Sequence, residues 1–454
     1  MASRFGTYVK TARAICAAAL LAFVSPAIAR AQEGANESRG AADLARLIAD
    51  NADGAIKNPT ESARLIAILS TAMYDTWAMA DARAHGLSVG ARQFAIAPSG
   101  RETLSIMAHA VRALMRGERT RTNQIDAFIQ RLGASGNATT ITSADEIANL
   151  VARFYADDRA DQAVREFLIP RPRLTDWLPI ETPDGRTQRA LTPAWGNVRA
   201  FAVAGPARLR APPPPRDAET FNAMIDDLIN VSANLTDEQK ATAEYWVPWG
   251  GWPASHMMRL TADLADQRGL DFDETVKLLF LAAMSQLDAG IVSWETKYAY
   301  AYARPVTAIR ARGDVLIRAW TPRGVREMRA RDFDPYLPTP PFPAYTSGHA
   351  LFTAAWARVM ELSTGSSAYG LTVRVTRLER ELRDLENPVT LEYPTFMSAA
   401  DASGISRIYG GIHWRIDDTE GKLQGAAVGD AVFDRAQTLF DGTQAAPRPT
   451  GMRY

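Results

Sequence analysis

Along most of the chain, apolar residues recur at helical spacing, and strand-like alternation is scarce. Residues 36–84 predict two helices. The first is ESRGAADLARLIADNA, broken by a Gly-Ala-Ile-Lys-Asn-Pro connection. The second opens near Pro59 and carries Leu65, Ile66, Leu69, Ala72, Met73 and Trp77 as one stripe. Residues 101–117 predict a third, with His109 in its apolar run as a core or boundary histidine; His85 reads as solvent-facing. Helices continue to 168, where Ser143 and Glu146 have capping-box spacing. Residues 169–216 are rich in Pro, Arg, Gly and Thr, yet Trp177, Leu178, Trp195, Val198 and Phe201 need somewhere to pack. They predict an ordered crossover laid over the surface.

Helical spacing resumes at Asp217. AETFNAMIDDLINVSAN and LTDEQKATAEYWV follow, the latter capped by Thr236. The loop PWGGWPAS leads to a helix at His256, and Phe272 to about Tyr300 predicts one long helix. After it come a mixed loop over 302–346 and a helix opening at Ser347. A helical piece over 371–386 and two last helices near 395–409 and 418–438 complete the set. DVLIRAW at 314–320 is the longest strand candidate. The expected division is an N-terminal helical bundle over 32–168, the crossover over 169–216 and a C-terminal bundle over 217–440. A loose tail follows over 441–454.

Residues 1–31 carry a positive leader (Arg4, Lys10, Arg13), the apolar run ICAAALLAFV and a small-x-small cleavage site. They predict a secretory signal and a secreted or periplasmic product. Cleavage after Ala31 leaves 47 basic against 51 acidic residues and removes Cys16, the only cysteine. That excludes a disulfide, a thiolate nucleophile and a Cys-ligated metal in the mature chain. The balance of charge gives no reason to expect a nucleic-acid partner. After the leader no stretch reads as apolar for the length of a membrane span, so no stable membrane insertion is expected. A homo-oligomer stays open.

Chemistry concentrates between Trp294 and His413, in WETKYAYAYARP, PFPAYTSGHALF and SRIYGGIHWRID. Lys297 and Arg304 are seven apart and share a face if the helix persists; Pro305 then forces an exit. Ser347 can cap the next helix, Gly348 lets an oxyanion approach backbone N–H groups, and His349 sits in the first turn. Arg407 and His413 are six apart, with Gly410 and Gly411 turning the chain between them. Asp417, four beyond His413, either fixes its imidazole or caps the next helix. Three cations, two imidazoles and a Ser-Gly step suit a tetrahedral oxyanion such as phosphate or vanadate.

These patterns resemble the vanadium-dependent haloperoxidases and the related acid phosphatases of the type 2 phosphatidic acid phosphatase superfamily. The shared pattern is K-x6-R-P, P-S-G-H and S-R-x5-H-x3-D. Here it reads Lys297 to Arg304-Pro305, Ser347-Gly348-His349, and Ser406-Arg407 to His413 and Asp417. Thr346 stands where proline is usual. The resemblance implies an all-α fold of two packed helical bundles. It implies His413 as axial vanadate ligand, or as phosphorylated nucleophile in a phosphatase, and His349 as acid–base partner. Lys297, Arg304, Ser347, Gly348 and Arg407 become oxyanion contacts, with Lys297 polarising the peroxide. Trp294 and Phe342 stand where the fungal chloroperoxidase type has aromatics beside its halide site. The implied cofactor is vanadate, which phosphate can replace, and the implied reactants are hydrogen peroxide and a halide, giving hypohalous acid. Two rival readings use the same residues: a phosphatase acting on phosphomonoesters, and a non-catalytic oxyanion-binding scaffold.

Overall fold

The computed structural model describes residues 26–443, apart from 57, 116–121, 134–136, 182–184 and 248–251, with side chains from residue 36. Most of the predicted signal and of the tail therefore lies outside the described residues; residues 26–31 begin a helix.

Before the crossover come α1 (Pro26–Ala55), α2 (Pro59–Ala80), α3 (Gly100–Leu114), α4 (Thr122–Arg131) and α5 (Ala138–Ala156). After it come α6 (Ala218–Ala233), α7 (Asp237–Tyr245), α8 (Pro253–Arg268), α9 (Phe272–Tyr300), α10 (Pro305–Arg310), α11 (Gly348–Thr364), α12 (Phe396–Tyr409) and α13 (Arg415–Phe440). The architecture is mostly helical, as expected, with two small sheets added. Strand β1 (Leu316–Ala319) pairs antiparallel with β2 (Arg326–Arg329), and β3 (Ala368–Leu378) with β4 (Arg383–Thr395).

The β3–β4 hairpin corrects the helical reading of 371–386. Leu371, Val373 and Val375 alternate with polar residues, and Val373 faces Leu391 while Val375 faces Val389 across the pair. A period of two with β-branched residues favours a strand. Ser143 is also corrected. It lies inside α5, and Asn137 caps that helix by accepting from Thr140 N at 2.8 Å. The capping box in this half is Ser99 with Glu102. His85 is half-buried, its carbonyl accepting from the Tyr74 hydroxyl at 2.9 Å.

Helix α9 is the axis. Its start is fixed by a capping box: Asp271 Oδ1 accepts from Glu274 N at 2.8 Å, and Glu274 Oε2 accepts from Asp271 N at 3.1 Å. It is apolar on every face, so it packs in the centre, against α1, α2, α8, α11 and α13. It also carries a window of mean hydropathy 1.4, long enough to cross a membrane, of which 94% is buried inside the protein. That corrects the sequence expectation that no such stretch exists; the burial accounts for its composition. Ile66, Leu69 and Met73 of α2, Phe280 and Met284 of α9, and Trp356 of α11 belong to one hydrophobic cluster. Helices from both sides of the crossover thus share a core.

The crossover is pinned to α9 by one carboxylate. Asp288 accepts from the amides of Phe201, Ala202 and Val203 at 2.6, 2.8 and 2.9 Å. Trp177, Trp195 and Val198 are buried, whereas Leu178 is exposed. On the opposite side, α13 lies very close to α11. A Cβ at Gly421 would come within 2.9 Å of Ser347 O, and one at Gly425 within 2.5 Å of Leu351 O. Only glycine permits this approach, and it brings α13 directly under the first turn of α11.

Candidate active site

Helix α9 ends at Tyr300, with Ala301 left-handed at φ 47°. Arg304 is therefore not on the helix face that Lys297 occupies. It is the residue before α10, and the turn at 301–304 brings it back beside the same site. The condition for one shared face, that the helix persist to Arg304, is not met: it stops at Tyr300, before Pro305 could end it.

Lys297 is fully buried, and its Nζ donates to the carbonyls of Pro343, Ala344 and Thr346 at 2.9, 2.9 and 2.6 Å. These bonds gather the loop that precedes α11. Burial, then the charge of Arg304, holds the Lys297 pKa well below its ordinary value. Phe342 lies between the two cations, 5.1 Å from Lys297 Nζ and 4.9 Å from Arg304 Cζ, and its ring is 4.8 Å from that of Trp294.

Arg304 is also fully buried. Its Nε donates to Phe342 O at 2.8 Å, and Nη1 to Ile412 O at 2.8 Å and His413 Nε2 at 3.0 Å. Its Nη2 has no partner. Because arginine only donates, His413 Nε2 must carry the lone pair. The proton then sits on Nδ1 and is given to Asp417 Oδ2 at 2.7 Å. That same oxygen accepts from Trp414 N at 3.0 Å, so Asp417 both caps α13 and orients the imidazole. Burial pushes Asp417 up to about 7, and Asp417 Oδ1 has no partner. Burial and the nearby Arg304 and Lys297 hold His413 well below the usual histidine value.

His349 follows the same logic with the ring turned. Its Nε2 lies 2.9 Å from the Trp246 carbonyl, which only accepts, so Nε2 carries a proton. Nδ1 is the nitrogen left to exchange one. Burial and then Arg407 lower its pKa well below the ordinary value, against the pull of the Trp246 carbonyl. Arg407 is anchored by Nε to Ser406 Oγ at 2.9 Å and by Nη2 to Ala243 O at 2.8 Å; burial pushes its pKa down to about 9.

Ser347 caps α11 through a 3.4 Å bond from Ala350 N. A Cβ on Gly348 would meet only ordinary contacts, at 3.8 Å from the Phe352 ring and 3.9 Å from Ser293 Oγ. The protein itself does not demand glycine here; glycine leaves open the side facing a cavity of about 350 Å³. Trp294, Phe342, Gly348, His349, Arg407 and His413 line that cavity, with Pro338, Pro340, Pro341 and Ile412 as apolar wall. Lys297, Arg304 and Ser347 are not among its lining residues.

All ten sequence-selected residues thus meet in one place. The donor set fits a tetrahedral oxyanion. Arg304 Nη2 is buried without an acceptor, Gly348 adds no bulk, and the first amides of α11 have no acceptor within the helix. Among the described residues no group of three or more His, Cys, Asp and Glu is placed to hold a metal ion.

Comparison with known proteins bears on the fold that carries this site. The family described as the VCPO second helical-bundle domain, VCPO being vanadium chloroperoxidase, matches residues 277–442. Residues 277–442 are a helical-bundle domain of the vanadium chloroperoxidase type. The chain is 25% identical over 281 residues to the vanadium chloroperoxidase of Curvularia inaequalis, across 50% of this chain and 46% of that protein. It therefore spans about half the length of that curated relative. A holo-type bacterial vanadium-dependent chloroperoxidase superposes with a TM-score of 0.75 at 20% identity, covering 85% of this chain and 94% of the other. A bacterial vanadium-dependent iodoperoxidase gives 0.70 at 20% identity, covering 88% and 96%. At that identity the likeness establishes the fold.

Three contributors to this site were not selected from the sequence. The Trp246 carbonyl sets the His349 tautomer, and a backbone acceptor leaves no side-chain signal. Ser293, one turn before Lys297, places a partnerless buried hydroxyl beside Gly348. Gly421, Gly425 and Gly429 recur every four residues, a spacing that could have announced the close packing of α13.

Proposed function

We propose that the chain is a vanadate-dependent haloperoxidase that uses hydrogen peroxide to oxidise bromide or chloride to hypohalous acid. The observation that carries this reading is the pair of imidazoles with opposite fixed tautomers around a partnerless arginine nitrogen. His413 Nε2 would be the ligand nitrogen, freed when Arg304 Nη1 turns to an oxyanion. Arg304, Arg407, Ser347 and the Gly348 amide would hold the remaining oxygens. Bound vanadate would supply a Lewis-acidic centre of constant oxidation state that activates peroxide. His349 Nδ1 would take and return the protons. A dianion beside His349 would raise its depressed pKa and so strengthen it as a base. Lys297 would contribute its charge and hold the loop; to touch an oxygen it must release one of its three carbonyls. The Trp294–Phe342 wall would keep water from the oxidant.

The same lone pair on His413 Nε2, backed by Asp417, also suits attack on phosphorus, with His349 protonating the leaving alcohol. The apolar cavity wall favours the peroxidase, since a phosphomonoester brings a polar, charged headgroup past it. Bromide- and chloride-dependent halogenation by vanadate-loaded protein, run beside phosphomonoester hydrolysis by vanadate-free protein, separates the two. Oxidation of at least one halide is expected; hydrolysis with no halide oxidation would overturn the leading reading.

A further inference from the structure

The loop that delivers Ser347 and Gly348 carries Thr346, where the pattern that the sequence resembles has proline. Proline stiffens a loop by fixing its own φ. Threonine does not, so stiffness must come from elsewhere. Thr346 is fully buried, and its hydroxyl donates to Gln424 Oε1 at 2.6 Å. Gln424 lies on α13 and is itself buried. Its Nε2 donates to Leu209 O at 2.7 Å and to Thr296 Oγ1 at 2.8 Å. The orientation of this amide is determined. Leu209 O can only accept, so the nitrogen faces it and the oxygen faces Thr346.

The partners of Gln424 are not a random set. Thr296 precedes Lys297, and Thr346 precedes Ser347. Leu209 belongs to the crossover. The Thr346 carbonyl is one of the three that hold Lys297 Nζ. One side chain therefore sets the loop carrying the Ser-Gly step against the helix end carrying the lysine. Gln424 can sit there because glycines on either side of it, Gly421 and Gly425, let α13 reach the backbone of Ser347 and Leu351.

We propose that Gln424 is a positioning residue for the oxyanion site, acting through Thr346 as a hydrogen-bonded replacement for the proline stiffener. It touches no reacting atom. It fixes where the Ser347 hydroxyl and the Gly348 amide stand relative to Lys297 and Arg304. This inference rests on the oxyanion reading of the site.

Orthovanadate and inorganic phosphate binding by titration calorimetry tests it, on purified protein shown to be folded by its Tm. Gln424→Leu and the near-isosteric Thr346→Val should each weaken orthovanadate binding about tenfold, the lower end of losses at supporting residues. Thr346→Ser keeps the hydroxyl and should stay within about twofold. The Gln424→Leu/Thr346→Val double variant should bind about as well as Gln424→Leu alone, because the bond that Thr346→Val removes is already lost there. A purely structural glutamine would lower Tm and leave the affinity of the folded protein unchanged. Binding within about twofold of the unaltered protein in both single variants, or additive losses in the double, overturns the proposal. If Gln424→Leu does not fold, Thr346→Val decides alone. Failure of the unaltered protein to bind either oxyanion would instead overturn the site reading, and this inference with it.

Discussion

Asp288 and Asp417 are both fully buried carboxylates, and they are used in opposite ways. Asp288, in the middle of α9, collects three backbone amides of the crossover. Asp417, at the start of α13, uses one oxygen for His413 and the Trp414 amide and leaves the other without a partner. Burial raises both, Asp288 to about 6 and Asp417 to about 7. The pKa shift therefore does not distinguish anchor from chemistry. What distinguishes them is whether the polar groups are satisfied. The crossover anchor has a complete set of donors; the site has Asp417 Oδ1, Arg304 Nη2 and Ser293 Oγ left over. Buried polar groups without partners cost stability, and the two that can donate, Arg304 Nη2 and Ser293 Oγ, are ones an oxyanion could satisfy.

The comparison predicts separable losses. His413→Ala should remove the largest effect, at least about a thousandfold in turnover, as loss of a group that acts in the reaction itself; steady-state kinetics on loaded protein measures it. Asp417→Asn keeps an acceptor for the Nδ1 proton but not the charge. It should weaken oxyanion binding by about 10- to 100-fold with a modest change in Tm. Asp288→Asn should reverse that profile. An amide presents only one oxygen to three N–H donors, so at least about 1–3 kcal/mol of stability should go, read by urea unfolding, with oxyanion affinity unchanged. Equal effects of the two Asp→Asn variants on binding would break the distinction.

The smallest effect concerns pH. His256 is almost fully buried, and burial, then Arg259, pushes its pKa down to about 4. The folded form thus resists a proton that the unfolded chain accepts below about 6.5. Its contribution to stability is present above pH 6.5 and is lost as pH falls towards 4. His256→Gln should flatten the fall in Tm between pH 6.5 and 4.5 by about one proton's worth of slope. An unchanged slope would contradict the assignment.

How much of this was legible in the sequence depended on periodicity and on which atoms do the work. α9 was readable close to its boundaries because helical spacing runs without a break from Phe272 to about Tyr300. The site was readable because its chemistry lies in side chains, Lys297, Arg304, His349, Arg407, His413 and Asp417, at recognisable spacings. The hairpin over 368–395 was missed because its alternation is short and partly exposed, interrupted by register shifts near Ala368 and Val375. The turn at Ala301, the Trp246 carbonyl and the Gln424 bridge were not legible, since backbone acceptors and long-range partners leave no local pattern.

The central claim is that His413 and His349 flank a site completed by a tetrahedral oxyanion. Titration of orthovanadate into the vanadate-free protein at neutral pH tests it most directly, with His413→Ala in parallel. The account predicts one site per chain in the unaltered protein, competition by phosphate, and loss of that site in His413→Ala. Absence of binding in the unaltered protein, or equal affinity in the variant, would contradict it.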